Sequence, residues 1–347
     1  MAKNRITKVA IVGVSAPIHP PTPPSTQLTR HPQASGQQGK HLVQHLLATG
    51  THQLTALTRT SSPNTMPAGV AIQPVDYTSP SSLAAALAGH DALVITLAVR
   101  APPGTQRALI EAAAAARVPW VVPNEWGGDD GDAARAADLP MGLARRAERA
   151  LAEERGLAWV GVACGFWYEF SLAGGRARYG FDVPRREVAF YGDGRQVLET
   201  STWELVGRAT ARLLALPVER EEGYEGPVLA DWRNRFVCVR SFTLSQRDML
   251  DSLHRVLGTT DEDWKITHVD PERIFKESNE ALKKGDWKAG VKVIYSRLFF
   301  PGTKTFADEN SIANETLGLQ KEDLDSSTRV AVDMAENEYF SPRTGRF

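Results

Sequence analysis

The stretch VAIVGVSAPIHPPTPPSTQLTRHPQASGQQGKHLV, residues 9–43, begins like a buried strand and ends like the first turns of a helix. Residues 8–12 are a continuous apolar, β-branched run bounded by Gly13, which is typical of a strand buried on both faces. Residues 36–50, GQQGKHLVQHLLATG, place apolar side chains at helical spacing and close with a glycine. The stretch therefore predicts a strand and a helix whose connection is interrupted by residues 14–33.

Without residues 14–33, Gly13 would join Ala34 and the text would be VAIVG-ASGQQGKHLV. It then contains a G-x-x-G-x-x-G motif on Gly13, Gly36 and Gly39. In a dinucleotide-binding fold the first glycine permits the tight turn, the second leaves room for the phosphates, and the third lets the helix pack on the strand. The alternative is a chance trio of glycines, but the flanking strand and helix favour a pyrophosphate site.

The insert at residues 14–33 is rich in proline and has no periodicity that would bury a face. Val14-Ser15 can be encoded by a 5′ splice-donor sequence and Gln33 by an acceptor codon. Our hypothesis is that the insert translates a retained short intron. The competing interpretation is a genuine surface loop, whose closure costs only about 1–3 kcal/mol but which would crowd the pyrophosphate site. We expect these 20 residues to form an irregular, poorly packed excursion between the strand and the helix, and an ordered element packed into the core would count against the intron hypothesis.

Strand and helix patterns alternate through the first half of the chain. The predicted strands cover 53–58, 70–75, 92–98, 118–123 and 158–163, and the predicted helices cover 80–88, 104–116 and 139–155. This alternation is typical of βαβ units with right-handed crossovers. It predicts an α/β fold of Rossmann type, a doubly wound parallel sheet with helices on both faces.

The later part of the chain lacks this rhythm. We expect a nucleotide-binding domain over residues 1–165 and a smaller C-terminal α+β substrate lobe over 166–347, with 186–216 returning to the first domain. Within the lobe the patterns predict a strand at 186–194, a helix at 200–216, a strand at 235–242, and helices that start near Ser245, Asp270 and Lys321. Ligands usually bind between two such lobes.

Composition narrows the class of function. The formal net charge of the 347 residues is −1, and no run of basic residues predicts a nucleic-acid or membrane partner. Two cysteines, Cys164 and Cys238, are too few for a disulfide scaffold or a zinc knuckle. No apolar segment is long enough to span a membrane, and the N-terminus does not resemble a signal peptide. These features predict a cytoplasmic protein that acts on a small molecule.

The end of the second strand indicates which nicotinamide cofactor would bind. An acid at this place accepts hydrogen bonds from a free ribose 2′-hydroxyl, whereas an arginine suits a 2′-phosphate. Here the text is LTALTRTSS, with Thr58, Arg59 and two serines and no acid. This favours NADP(H), the alternative being a solvated loop arginine.

The chain resembles the NmrA-like and isoflavone-reductase-like atypical short-chain dehydrogenases, particularly fungal members. The resemblance covers nearly the whole length through ASGQQGKHLV, LTALTR, VDYTSPSSLAAALAGHDALVITL, VPNEWGGD, GFWYEFSL, LVGRATARLLALP and LGLQKEDLDSSTRVAVDMAE. It implies a Rossmann domain, a smaller substrate lobe and NADPH-dependent reduction. By position it implies cofactor contacts from Gly13, Ser35, Gly36, Gln37, Gln38, Gly39, Thr58, Arg59, Asp76, Tyr77, Leu97, Ala98, Asn124 and Glu125.

One departure from the family puts catalysis in doubt. Many catalytic members carry a lysine on the helix after the P-N-E segment, but no lysine occurs between His41 and Trp264. Arg145 or Arg146 falls near the expected place, and an arginine stays protonated. The Y-x-x-x-K pair of typical short-chain dehydrogenases is missing as well, because Leu172 is the fourth residue after Tyr168.

The segment GFWYEF, residues 165–170, follows a predicted sheet strand. We expect Trp167 and Tyr168 at the mouth of the cleft, as a floor for an aromatic substrate and with Tyr168 as the proton donor. The alternative is that these aromatic residues pack the two lobes together. No metal site is predicted, because His41 and His45 lack a third ligand and the acidic run 127–138 lacks the spacing of a calcium loop.

Two functions remain open at this point. The leading one is NADPH-dependent reduction of a carbonyl or conjugated double bond in a small aromatic metabolite. The other is a regulatory protein that binds NADP(H) and a protein partner without turnover. The missing lysine favours the second, and the aromatic segment favours the first. A homodimer is compatible with either.

Overall fold

Runs of aliphatic and β-branched residues form the strands, and amphipathic segments form the helices. In the computed structural model, the described residues are 4–13, 37–59, 66–98, 101–129, 132–139, 142–306, 311–337 and 339. The strands are β1 (Lys8–Val12), β2 (Gln53–Arg59), β3 (Val70–Val75), β4 (Ala92–Ile95), β5 (Trp120–Val122), β6 (Ala158–Ala163), β7 (Phe166–Trp167), β8 (Phe181–Asp182), β9 (Glu187–Tyr191), β10 (Leu198–Ser201), β11 (Arg235–Cys238), β12 (Phe242–Leu244) and β13 (Lys265–Val269). The helices are α1 (Gln37–Ala48), α2 (Pro80–Leu87), α3 (Thr105–Ala115), α4 (Ala133–Asp138), α5 (Gly142–Glu154), α6 (Tyr168–Ala173), α7 (Trp203–Leu214), α8 (Gln246–Leu257), α9 (Pro271–Lys283), α10 (Ala289–Leu298) and α11 (Leu324–Glu336). The insert at 14–33 lies outside the described residues.

Among the described residues, seven strands form the central sheet in the order β11-β6-β5-β4-β1-β2-β3. All neighbouring pairs in this sheet are parallel. The strand order reverses between β1 and β4, and ligands of doubly wound folds bind outside the carboxyl ends of the strands at such a point. The predicted Rossmann-type α/β fold is confirmed.

Strand β1 shows how both faces of the sheet are covered. Its alternating side chains Val9 and Ile11 pack with α1 and α7, whereas Ala10 and Val12 pack with α2, α3 and α5 on the other face. All four are completely buried or nearly so. A strand enclosed on both sides needs apolar residues at every position, which is why KVAIV lacks the polar alternation of a half-exposed strand.

Local caps fix where several helices begin. The side chain of Ser79 accepts a hydrogen bond from the backbone N–H of Ser82 at the start of α2, and Thr202 caps α7 through the N–H of Leu205. Ser245 and Asp248 form a reciprocal capping box on α8. Such caps satisfy N–H groups that have no partner within the helix.

Two smaller sheets, β12-β10-β7 and β13-β9-β8, lie in the second half of the chain. Their strands pack with α6, α8, α10 and α11 around an aromatic core that includes Tyr168, Tyr179, Phe181 and Phe299. This core is separate from the two that cover the central sheet.

Two predicted elements are each divided in the structure. The helix expected over 139–155 is α5, which begins at Gly142 and follows the short helix α4. Leu139, between the two helices, is extended because the proline that follows it disfavours the helical conformation. The strand expected over 235–242 is β11 followed by β12. After Cys238 the chain leaves the central sheet, and the N–H of Ser241 donates to Thr200 O in β10.

After β6 the chain leaves the central sheet, and it returns to this sheet with β11. Helix α7 packs on α1, and β11 pairs with β6 as the edge strand of the sheet. Strand β9, by contrast, pairs with β8 and β13. The domain boundary at 165/166 stays a prediction.

Candidate cofactor site and aromatic wall

The chain passes from β1 into Gly13 at the carboxyl edge of the central sheet. Gly13 has φ +88°, and a Cβ at this position would lie 1.9 Å from the carbonyl oxygen of Thr96. The Thr96 hydroxyl and N–H both donate to Val12 O, at 2.7 and 2.9 Å. Only glycine fits this close approach of β1 to β4, while the predicted role of Gly13 beside a pyrophosphate stays a prediction.

Gln38 lies in the first turn of α1 and is 4% exposed. Within the described part of the chain, neither its amide nitrogen nor its amide oxygen has a hydrogen-bond partner. A buried amide without a partner costs about 1–3 kcal/mol, and a bound phosphate or ribose would satisfy it. Together with the Gly13 turn, this residue fits a dinucleotide at the start of α1; Gln37 and Gly39 adjoin it, whereas Ser35 and Gly36 lie outside the described residues.

The residues expected near the adenosine lie at the ends of β2 and β3. Arg59 is exposed and Thr58 is buried. The hydroxyl of Tyr77 donates to Leu57 O at 3.1 Å; burial raises its pKa to about 12, and the positive charge of nearby Arg59 opposes this rise. The Asp76 carboxylate accepts from the hydroxyl and the N–H of Thr78, which lower its pKa. Arg59 and Tyr77 thus lie close together at this edge.

The ends of β4 and β5 are joined directly. The side-chain amide of Asn124 donates to Leu97 O at 3.2 Å, and its backbone N–H donates to Gln106 Oε1 at 2.6 Å. Gln106 in turn donates to Glu148 of α5 at 2.5 Å. Leu97 is half-buried and Ala98 is exposed. The structure therefore brings Asn124 next to Leu97, and the cofactor contacts implied for these residues and for Ala98 stay a prediction.

Glu125 is 3% exposed and forms an ion pair with Arg149, which is 8% exposed. The guanidinium of Arg149 lies 5.2 Å from the ring centre of Trp159 and 5.1 Å from that of Phe236. The sequence analysis considered Arg145 and Arg146 and missed Arg149. Its spacing of three residues from buried Ala152 on α5 is the signal that could have identified it.

The expectation that Tyr168 stands at the mouth of a cleft is wrong. Its side chain is fully buried in the aromatic core, and its hydroxyl is 2.6 Å from Thr328 Oγ1 of α11. Burial raises its pKa well above the usual range. Strand β7 is only two residues long, and the chain then turns into α6, so Tyr168 faces α11. A proton donor must reach the substrate, and this hydroxyl is enclosed by its own lobe.

Trp167, Phe170 and Trp203 form what we call the aromatic wall. The ring centres of Trp167 and Trp203 are 6.0 Å apart, and those of Phe170 and Trp203 are 5.7 Å apart. Trp203 also stacks on His41 of α1 at 6.3 Å. The wall therefore adjoins the first turns of the helix on which Gln38 lies. The sequence analysis assigned Trp203 no function.

Glu169 lies behind the aromatic wall and is 6% exposed. Its Oε1 accepts a hydrogen bond from the N–H of Trp203 at 3.1 Å. Burial raises its pKa to about 8, so the carboxyl is protonated at neutral pH. Its Oε2 and the indole nitrogen of Trp203 are buried and have no hydrogen-bond partner among the described residues.

Two histidines weighed as metal ligands contact a glutamate instead. His41 Nδ1 and His45 Nε2 lie 3.0 and 2.8 Å from the two oxygens of Glu204 in α7, and these contacts hold the pKa of Glu204 below its usual range. Asp132 in the acidic run caps α4. In the described ranges, no group of three or more His, Cys, Asp or Glu residues could hold a metal ion. No described helix is both long and apolar enough to cross a membrane.

Known proteins resemble this chain both in sequence and in fold. Residues 34–188, which begin directly after the insert, match a family model described as NAD(P)H-binding. The chain is 26% identical over 300 residues to oxidoreductase aprR of Aspergillus flavus, covering 84% of this chain and 94% of that protein. It is 25% identical over 278 residues to oxidoreductase poxI of Penicillium oxalicum, covering 78% and 82%.

Solved structures share the fold along nearly the whole chain. The structure of AtPrR2 with NADP+ and (+)pinoresinol has a TM-score of 0.66 at 16% identity, covering 94% of this chain and 99% of that one. Isoflavone reductase has a TM-score of 0.65 at 18% identity, with the same coverage. The chain therefore contains an NAD(P)H-binding segment, is similar along most of its length to fungal oxidoreductases, and shares the fold of AtPrR2 and isoflavone reductase.

Proposed function

We propose that the protein is an NADPH-dependent oxidoreductase that reduces a carbonyl or conjugated double bond of a small aromatic metabolite. The observation that carries this proposal is the position of the aromatic wall beside the start of α1. There Trp203 stacks on His41, three residues after the buried amide of Gln38. Trp203 itself is only 5% exposed, so a planar substrate could contact the half-buried rings of Trp167 and Phe170, next to a cofactor bound at the Gly13 turn.

Arg59 supports NADP(H) rather than NAD(H). It ends β2 in the place where an acid would favour NAD(H), and its charge lies close enough to Tyr77 to affect the pKa of the phenol. We assign Arg59 and Thr58 to the 2′-phosphate, Asp76 and Tyr77 to the adenine, and Leu97, Ala98, Asn124 and Glu125 to the middle and nicotinamide half. Gly13, Gln37, Gln38 and Gly39, with Ser35 and Gly36, would surround the pyrophosphate. The solved AtPrR2 structure holds NADP+.

When bound, NADPH supplies a hydride from C4 of its nicotinamide ring. Reduction also needs one proton, which goes to the carbonyl oxygen or to the carbon next to the one that accepts the hydride. Arg149 is engaged in the ion pair with Glu125 and Tyr168 is enclosed, so we assign this proton to water. The protein's own residues then orient the substrate and the cofactor. The Arg149–Glu125 pair fixes the segment that follows β5, and the aromatic wall holds the substrate.

A second candidate is an NADP(H)-binding regulator without turnover. It is favoured by the absence of the family's lysine, near whose expected place Arg145 and Arg146 stand, and by the burial of Tyr168, the residue expected to donate the proton.

One experiment separates the two candidates. The affinities for NADPH, NADP+, NADH and NAD+ are measured first, for the full chain and for a chain without residues 14–33. NADPH oxidation is then followed with a panel of aromatic enones and quinones. We expect the chain without the insert to bind NADPH more tightly and to turn over at least one class. Tight binding without turnover of any substrate would support the regulator.

A further inference from the structure

Helices α9 and α10 meet in a turn that presents a tryptophan to solvent. Residues 283–292, KKGDWKAGVK, form what we call the basic tip. Among the exposed tryptophans and tyrosines in the described part of the chain, Trp287 has the highest exposed fraction, 54%. Ala289 and Val293 in α10 are buried. The tip is thus the exposed end of a helix pair whose base is packed on the protein.

Four lysines lie within five residues of this tryptophan in the sequence. Lys283, Lys284, Lys288 and Lys292 are all exposed, and the ammonium of Lys288 lies 5.8 Å from a Trp287 ring centre. Across the described part of the chain, no ion pair involves these four lysines. The one carboxylate of the tip, Asp286, accepts a hydrogen bond from the N–H of Lys288 and so helps to form the turn itself. The tip therefore carries a formal charge of +3, from four lysines and one aspartate, on a chain whose net charge is −1.

The helix pair below the tip is a firm base. Phe275 of α9 and Phe300 after α10 meet edge to face with ring centres 5.4 Å apart. Asp270 caps the start of α9, and Ser278 on the same helix is buried. Because the base is packed in this way, the lysines and Trp287 are held on one exposed end rather than distributed over a mobile chain.

The geometry points to the basic tip as a docking site for an anionic lipid surface. Tryptophan prefers the interface between headgroups and acyl chains, where its ring is half apolar and its N–H can meet water. Lysines beside a membrane add attraction to anionic headgroups. The tip contains no arginine, so it suits a diffuse anionic surface better than a single phosphate, which arginine recognises by paired hydrogen bonds. This inference does not depend on the proposed reaction.

The test is sedimentation of the full chain with phosphatidylcholine vesicles that contain or lack phosphatidylserine. We expect binding only with phosphatidylserine, weakened by salt, with a blue shift of tryptophan emission. Each substitution among Lys283→Ala, Lys284→Ala and Lys288→Ala should weaken binding about fivefold. Trp287→Ala should weaken binding, abolish the blue shift and leave the dependence on salt unchanged. NADPH affinity and the unfolding temperature should be unaffected.

The controls are Lys321→Ala, an exposed lysine elsewhere, and Tyr224→Ala, an exposed aromatic residue elsewhere. Both should bind vesicles like the wild type. Equal binding to vesicles with and without phosphatidylserine, or wild-type binding by a variant lacking all four lysines, would overturn the proposal. So would tip-dependent binding to polyglutamate without vesicle binding, which would indicate an acidic protein instead.

Discussion

Arg149 and Glu125 form an ion pair inside the protein, with the guanidinium held beside the rings of Trp159 and Phe236. Removing one partner of a buried pair leaves the other charge desolvated, which costs about 3–5 kcal/mol. We therefore expect Arg149→Met to lower the free energy of unfolding by that amount in denaturant titrations. Arg149→Lys should retain most of the stability. The same variant tests catalysis, because a buried lysine can exchange a proton near neutral pH. An increase in NADPH oxidation by Arg149→Lys would show that proton transfer limits the wild type.

The controls for this pair lie on the surface. Arg107→Met removes an exposed partner of Glu111 four residues away, and an exposed pair of this kind contributes about 0.3–0.5 kcal/mol. If Arg149→Met were no more destabilising than Arg107→Met, the buried pair would not have the structural role described above.

Tyr168→Phe distinguishes a structural from a catalytic hydroxyl. The change removes one buried hydrogen bond to Thr328 and leaves the one between Thr328 and Ser252 in place. We expect a loss of about 1 kcal/mol in unfolding free energy and no change in the rate of NADPH oxidation. Loss of a general acid would instead lower kcat by about 10²–10⁴-fold. A fall of that size at unchanged NADPH affinity would return Tyr168 to the reaction.

Arg59→Glu tests the choice of cofactor. The substitution replaces a positive charge at the end of β2 with a negative one. A charge-assisted hydrogen bond contributes about 1.5–3 kcal/mol, so the Kd for NADPH should rise by at least about tenfold. Affinity for NADH should fall little or improve. Isothermal titration with both cofactors provides the measurement, and an equal loss for both would mean that Arg59 does not contact the 2′-phosphate.

Glu169 gives the stability a dependence on pH. Burial raises its pKa to about 8 in the folded protein, above its ordinary value of 4.5 in an unfolded chain. Between these values the folded state binds one more proton than the unfolded state, so its contribution to stability falls as the pH rises from about 4.5 to 8. Glu169→Gln removes the titration. We expect the variant to gain stability relative to the wild type as the pH rises through this window, measured by denaturant unfolding at a series of pH values.

Two surface carboxylates serve as comparisons for that titration. Asp263 and Asp323 are exposed caps whose pKa is lowered by hydrogen bonds, so their effect on stability has the opposite sign and is lost at acid pH. Identical pH profiles for the wild type and Glu169→Gln would mean that the Glu169 carboxyl reaches water in solution.

Much of the sheet was predictable because its inner strands are apolar on both faces, and because turn residues bound the exposed edge strand β3. Strands β3 and β6 have the bounds that the sequence predicted, and the start of α9 agrees to within one residue of Asp270. Such segments are decided by local pattern and caps. The strand expected over 235–242 is instead divided, because its first part pairs with β6 and its last residue pairs with β10. A local sequence pattern does not show which strand will be the neighbour.

The site was predictable where backbone geometry decides it and less so where side chains do. The Gly13 turn follows from a motif, because only glycine tolerates the approach of Thr96. The inward direction of Tyr168 and the pairing of Arg149 with Glu125 depend on α11 and α5 packing against distant segments. Those contacts join residues far apart in the chain, and a single sequence gives no measure of them.

Strand β11 also bears on how the chain is made. Residues 235–238 cover the edge of β6, yet they are synthesised more than 70 residues after that strand ends at Ala163. While the ribosome adds the intervening segment, β6 presents unpaired N–H and C=O groups that can pair with other chains. A fragment that stops near residue 165 would keep this edge exposed permanently. Strand β11 can therefore cover this edge only after Cys238 has left the exit tunnel.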